Sequence, residues 1–220
     1  MGFRQHRMED HVTSAPSTET SVAALVLKAR RILVIGCSGS GKSTLSRKIS
    51  DLCNLPYVSM DRDFFWLEGW VQRDRAEQRS LIEHAVAKER WIMDGTAPSS
   101  FDVRVPRADL ILWVRLPRTV SLVAAIKRIA TTYGRTRPEM APGCPERFDL
   151  EFIRYIWTFE KNMVPKIEKA LADTNIQVPI VTLKSFQEAD RLVVDLILEK
   201  NRNADIRNDP PQPSFRRADV

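Results

Sequence analysis

The stretch Arg31-Ile-Leu-Val-Ile-Gly36-Cys-Ser-Gly-Ser-Gly41-Lys42-Ser43-Thr44 decides the fold. Ile32 to Ile35 are an uninterrupted aliphatic run, the composition of a strand buried on both faces. Glycines at 36, 39 and 41 then permit φ > 0, which lets successive backbone N–H groups converge on one anion. From Lys42 onward, Leu45, Ile49 and Leu52 fall at helical spacing. A helix beginning there aims the positive end of its dipole at the same point. Strand, G-x-x-x-x-G-K-[ST] loop and helix together read as a phosphate-binding loop for a nucleotide. Gly36, Ser38, Gly39, Ser40, Gly41 and Thr44 are expected around the phosphates. Lys42 is expected on the β and γ oxygens, and the Ser43 hydroxyl on Mg²⁺.

Outward from this loop the pattern alternates. Further strands are expected at residues 57–60, 91–93, 110–114 and 180–183. Asp74 is the expected N-cap of a helix whose inner face is Leu81, Ile82, Ala85 and Val86. A helix over 120–132 should turn Leu122, Val123, Ile126, Ile129 and Ala130 inward. A longer helix over about 149–171 should kink at Pro165, because proline's ring clashes with an earlier carbonyl. The last helix is expected over 187–200. Five apolar strands separated by helices make an α/β fold, a parallel sheet covered on both faces. Ligands of such sheets bind beyond the carboxyl ends of the strands. Residues 1–21 and 201–220 are polar and proline-containing, and are expected to be disordered tails around a domain spanning 22–200.

The composition narrows the function. A formal charge of +6 across 220 residues favours polyanionic ligands, nucleotides and nucleic acids alike. No apolar run reaches a membrane span, and the first residues lack a signal-peptide core, so a cytoplasmic protein without membrane contact is expected. Cys37, Cys53 and Cys144 are too scattered for a disulfide framework or a zinc site.

Two groups of residues supply candidate chemistry. Asp61 and Asp63 follow the second strand and Asp94 follows the third. Mg²⁺ is a hard cation that takes one or two carboxylates, so Ser43, Asp61 and Asp94 form the expected metal set. Asp63 is the expected base for an acceptor hydroxyl. Trp66 and Trp70, within Phe64-Phe-Trp-Leu-Glu-Gly-Trp70, are expected to line the acceptor pocket on a flap at about 62–90, with Asp61, Asp63 and Arg104. Phosphoryl transfer is mostly positioning and charge stabilisation. The basic segment after the fourth strand therefore reads as a lid over about 128–150 that brings Arg128, Arg135 and Arg137 to the transferring group. No Asn-Lys-x-Asp guanine-reading stretch occurs, which favours adenine.

The loop Gly36–Thr44, Met60-Asp61 with Phe65-Trp66 and Trp70, Trp91-Ile-Met-Asp94-Gly95, Arg104 with Arg107-Ala-Asp109, and Leu116-Pro-Arg118 together resemble the adenylate-kinase-like P-loop family of DNA topology modulation proteins. The resemblance covers about residues 31–199. It implies a nucleoside-monophosphate-kinase-type, three-layer fold with strand order 2-3-1-4-5 and a lid after the fourth strand. It also implies adenine contact near Lys184 and Ser185. Adenylate kinases follow their Asp-Gly with Phe-Pro-Arg, where this chain has Thr96, Ala97 and Pro98, so an AMP acceptor is not implied. The expected activity is an ATP- and Mg²⁺-dependent phosphotransferase with a small-molecule, nucleoside or nucleotide acceptor. The alternative is an ATP-binding, nucleic-acid-associated regulator without kinase activity.

Overall fold

Five strands pair in parallel: β1 (Arg31–Gly36), β2 (Tyr57–Ser59), β3 (Trp91–Asp94), β4 (Leu110–Val114) and β5 (Ile180–Leu183). A computed structural model describes residues 21–208, with side chains through residue 204. Most of the two expected tails lies outside the described residues. The sheet order is β2-β3-β1-β4-β5, with β1 at the centre. A separate antiparallel hairpin, Trp66–Leu67 with Val71–Gln72, is inserted between β2 and β3 and lies outside the sheet.

Strand alternation divides the core into two layers. Leu33, Ile35, Trp91, Met93, Ile111 and Trp113 face one side, against α3 (Arg75–Val86), α6 (Leu150–Asn162) and α7 (Val164–Asp173). Ile32, Val34, Ile92, Leu110, Leu112 and Val114 face the other, against α1 (Val22–Lys28), α2 (Lys42–Cys53) and α8 (Phe186–Asn208). Both faces of the central strands are dry, which is why they read as continuous apolar runs. Each fully buried Leu, Ile or Val contributes about 1.5–3 kcal/mol.

Several elements differ from their sequence reading, each for a local reason. The second strand stops at Ser59, and Met60–Phe65 form one wide helical turn, begun by the Ser59 hydroxyl accepting from the Arg62 N–H. The expected long helix is two helices that break at Met163. Pro165 sits in the first turn of α7, where its missing N–H costs nothing. α5 (Arg118–Thr132) starts two residues early and buries Ser121, Ala125 and Ile129, while Val123 and Ile126 are exposed. Its inner face abuts the loop after β1, where only small side chains fit. α8 continues through residues 201–208, which the composition had assigned to the tail. Between β3 and β4 lies the short α4 (Phe101–Arg104). Among the described residues no helix is long and apolar enough to cross a membrane.

Candidate active site

The loop from Gly36 to Gly41 leaves β1 at the carboxyl edge of the sheet and delivers α2. Its glycines are required by space as well as by φ. A Cβ on Gly36 (φ 142°) would lie 2.1 Å from the Val114 carbonyl oxygen, and one on Gly39 (φ 80°) 2.2 Å from that of Ser121. No side chain fits either place. The loop is also pinned to β3. The Gly36 N–H donates to Thr96 Oγ1 at 2.9 Å, and Thr96 Oγ1 donates back to the Gly36 carbonyl at 2.6 Å.

Beyond the loop opens a cavity of about 790 Å³, into which Ser38, Gly39, Gly41, Lys42, Ser43 and Thr44 all face. The Lys42 ammonium donates to the Cys37 carbonyl at 2.7 Å, a contact that an incoming phosphate can replace. Gly36 and Ser40 shape the loop from beneath. Ser40 is buried, and its hydroxyl has no partner. Phe186, the first residue of α8, lies against Gly41 at the cavity wall.

Asp61 faces the cavity and Asp94 lies under its floor, 5% exposed at the end of β3. Asp94 Oδ2 accepts from the Tyr57 hydroxyl at 3.2 Å, while its Oδ1 is buried without a partner. Although Asp61 opens to the cavity, the protein around it raises its pKa above the usual carboxylate range. Asp94 adds to that rise, and Lys42, Arg137 and Arg128 oppose it. Desolvation is the largest cause, and the exposure of the Asp61 side chain to the cavity discounts it. Ser43, Asp61 and the orphaned oxygen of Asp94 fit a hydrated divalent cation of the Mg²⁺ kind. Asp63 does not join them. Its carboxylate accepts from the Ser59 N–H at 2.8 Å and is forked by the Arg62 guanidinium at 2.7 and 2.9 Å. It does not line the cavity, so its expected role as base is corrected.

The lid turns its arginines inward. Arg128 from α5 and Arg137 from the lid loop both grip Glu146, at 3.0 and 2.6 Å, and that carboxylate is 7% exposed. Burial lowers the pKa of Arg128, its neighbour Arg137 lowers it further, and Glu146 opposes both. Arg135 is exposed and away from the cavity. The lid is joined to the flap. Cys144 Sγ donates to the Leu67 carbonyl and accepts from the Trp70 N–H, both at 3.2 Å, and the Gly69 N–H donates to the Gly143 carbonyl. Met140, Ala141 and Cys144 pack on Trp66 and Trp70, whose rings meet edge to face with centroids 5.3 Å apart. Both tryptophans line the cavity.

Two further expectations are corrected. Arg104 is fully buried and does not line this cavity. Its guanidinium donates to the carbonyls of Gly95, Thr96 and Ala97 and to Ser100 Oγ. Burial lowers its pKa to about 9, still high enough to keep it charged near neutrality. It clamps the turn after β3, including Ala97 at φ 29°. Lys184 is exposed, its N–H donating to Glu188, and the neighbouring Phe186 takes the cavity position instead. Thr96, Glu146, Phe186 and Arg147 escape the sequence reading. An acid in a basic loop reads as solvated, and a single aromatic after a strand carries no pattern.

No protein-family model matches the chain. A stretch of 63 residues, 28% of the chain, is 38% identical to the ATP-dependent protease ATPase subunit HslU of Rhodopseudomonas palustris and spans 14% of that protein's length. The corresponding subunit of Beijerinckia indica is 33% identical over 82 residues, 34% of this chain and 19% of its own length. Among solved structures, shikimate kinase from Acinetobacter baumannii in complex with shikimate aligns with a TM-score of 0.47 at 11% identity, covering 82% of this chain and 98% of that one. Deoxyadenosine kinase from M. mycoides with bound dCTP aligns with a TM-score of 0.39 at 14% identity, covering 79% and 99%.

Proposed function

We propose that this chain is a phosphotransferase that moves the γ-phosphoryl group of ATP to a hydroxyl of a small acceptor. One observation carries the assignment: Lys42, Ser43, Asp61, Arg128 and Arg137, from four separate segments, converge on one cavity at the carboxyl edge of the sheet. A binding protein needs the loop and Lys42. It does not need two guanidiniums and a carboxylate of raised pKa facing the same space.

The loop amides and Lys42 hold the β and γ phosphates, with Lys42 leaving the Cys37 carbonyl to do so. Ser43 and Asp61 at the cavity, with Asp94 behind them, are the residues that would hold Mg²⁺. When bound, the metal neutralises charge across the β and γ oxygens. Arg128 and Arg137 exchange the Glu146 carboxylate for the transferring phosphoryl oxygens. Phe186, against Gly41, offers a face for adenine. The acceptor oxygen forms its bond to the γ-phosphorus as the bond to the β–γ bridging oxygen breaks. ADP keeps that electron pair, and the hydroxyl proton passes to Asp61 or solvent.

The alternative, a nucleic-acid-associated regulator, has half of the basic segment left to support it, with Arg118, Lys127 and Arg135 exposed. Arg128 and Arg137 of the basic segment are turned onto Glu146, and Arg115 is paired with Glu160 and Glu168. Calorimetry with Mg-ATP tests the assignment: saturable one-site binding is expected, and none to the folded chain would overturn it.

A further inference from the structure

Resting on the phosphotransferase assignment above, we propose that the acceptor is an uncharged, ring-bearing hydroxyl compound, and that the cavity rejects acceptors carrying a phosphate or carboxylate. The charges facing the cavity point there. Its four cations are Lys42, Arg128, Arg137 and Arg147, and its four carboxylates Asp61, Glu139, Glu146 and Asp149. The walls are balanced before any ligand arrives. A triphosphate with one divalent cation adds net negative charge and engages three of the four cations.

The fourth, Arg147, is largely exposed and shares its charge with neighbours. Its guanidinium lies over the Trp70 ring at 5.1 Å and within 4.0 Å of Asp149. Arginines behind this wall, outside the cavity lining, are committed too. Arg62 forks Asp63, Arg73 binds the Phe64 carbonyl and Glu77, and Arg104 is spent on the backbone below the floor. Glu139, 15% exposed, pairs with Arg47 at 3.2 Å and keeps that cation from an incoming anion. An anionic acceptor would therefore meet carboxylates and a bound polyphosphate, with only the Arg147 guanidinium, shared with Asp149 and Trp70, to receive it. What the flap and lid offer instead is apolar. Trp66, Trp70 and Met140 present two indoles and a thioether, surfaces suited to a ring. Glu139 and Asp149 can accept hydrogen bonds from its hydroxyl or amino groups. A neutral alcohol and ATP then give a phosphate monoester, ADP and one proton.

The test measures ADP release by the full chain with Mg-ATP and matched acceptor pairs: adenosine, cytidine and thymidine against their 5′-monophosphates, and myo-inositol against shikimate and quinate. At least one neutral member should be used, with kcat/KM exceeding that of its charged partner about tenfold or more. Asp149→Asn preserves the cap on α6 while removing one carboxylate, and should narrow that ratio several-fold. Preferred use of a charged member overturns the inference, as does an unchanged ratio in Asp149→Asn. Mg-ATP binding without turnover of any neutral member overturns the inference and leaves nucleotide binding standing. Absence of Mg-ATP binding removes the assignment beneath it.

Discussion

The Lys42 ammonium donates to the Cys37 carbonyl, and in the proposed reaction it moves from there to the phosphates. Lys42→Ala should lower kcat/KM by about a thousandfold, as loss of a charge-stabilising donor does. Its Tm should stay within a few degrees of wild type, because the lysine is not a core residue, and an unaltered rate would remove Lys42 from the chemistry. Cys37, one residue into the same loop, is a contrasting case. Burial pushes its thiol up to about 11, outweighing the nearby Lys42 charge. It stays protonated at pH 8, so alkylation of the folded chain by iodoacetamide should be slow there and quicken only as pH approaches 11. Rapid labelling of Cys37 at pH 8 would show the loop to be open. Lys42 and Ser43 were legible because the motif ties residue type to chemistry. Arg104 was misread because an arginine at a short helix end normally faces water. Nothing in its neighbours announces that three carbonyls of residues 95–97 converge on it.

Elements succeed or fail here through what they press against. The turn after β3 holds Ala97 at a positive φ, a conformation costing about 1 kcal/mol or more, and Arg104 supplies the hydrogen bonds that keep it. Arg104→Ala should therefore destabilise the chain by about 3 kcal/mol, since several buried carbonyls lose their donors at once. Chemical denaturation measures this, and a loss below about 1 kcal/mol would mean that water replaces the clamp. The lid depends on a different balance. Glu146→Ala leaves two guanidiniums facing each other and should cost roughly 2 kcal/mol, less than a fully buried pair because both arginines retain some exposure. Mg-ATP resupplies the missing negative charge, so its thermal stabilisation should be larger in Glu146→Ala than in wild type. An equal shift would separate these arginines from the nucleotide. The inner face of α5 shows why periodicity alone misleads. Val123 and Ile126 fit an apolar stripe, but contact with Gly39 selects Ser121 and Ala125 by size.

Across the whole molecule, the strands were the most legible part, because a sheet buried on both faces leaves no polar alternation to confuse with anything else. Its helical layers were less so. α8 reaches from the cavity at Phe186 to α1 and α2, and buries Leu192 and Leu196 in the layer they share. Leu196→Ala should cost about 3 kcal/mol and lower the denaturation midpoint without changing the slope. A changed slope would place α8 outside the cooperative unit. The junction of flap and lid through Cys144 and Gly143 has a kinetic consequence. With the two segments fastened together over one cavity, the proposed transfer is expected to pass through a ternary complex of donor and acceptor. Initial-rate plots against the two substrates should then intersect rather than run parallel, and neither product should leave until that joint swings.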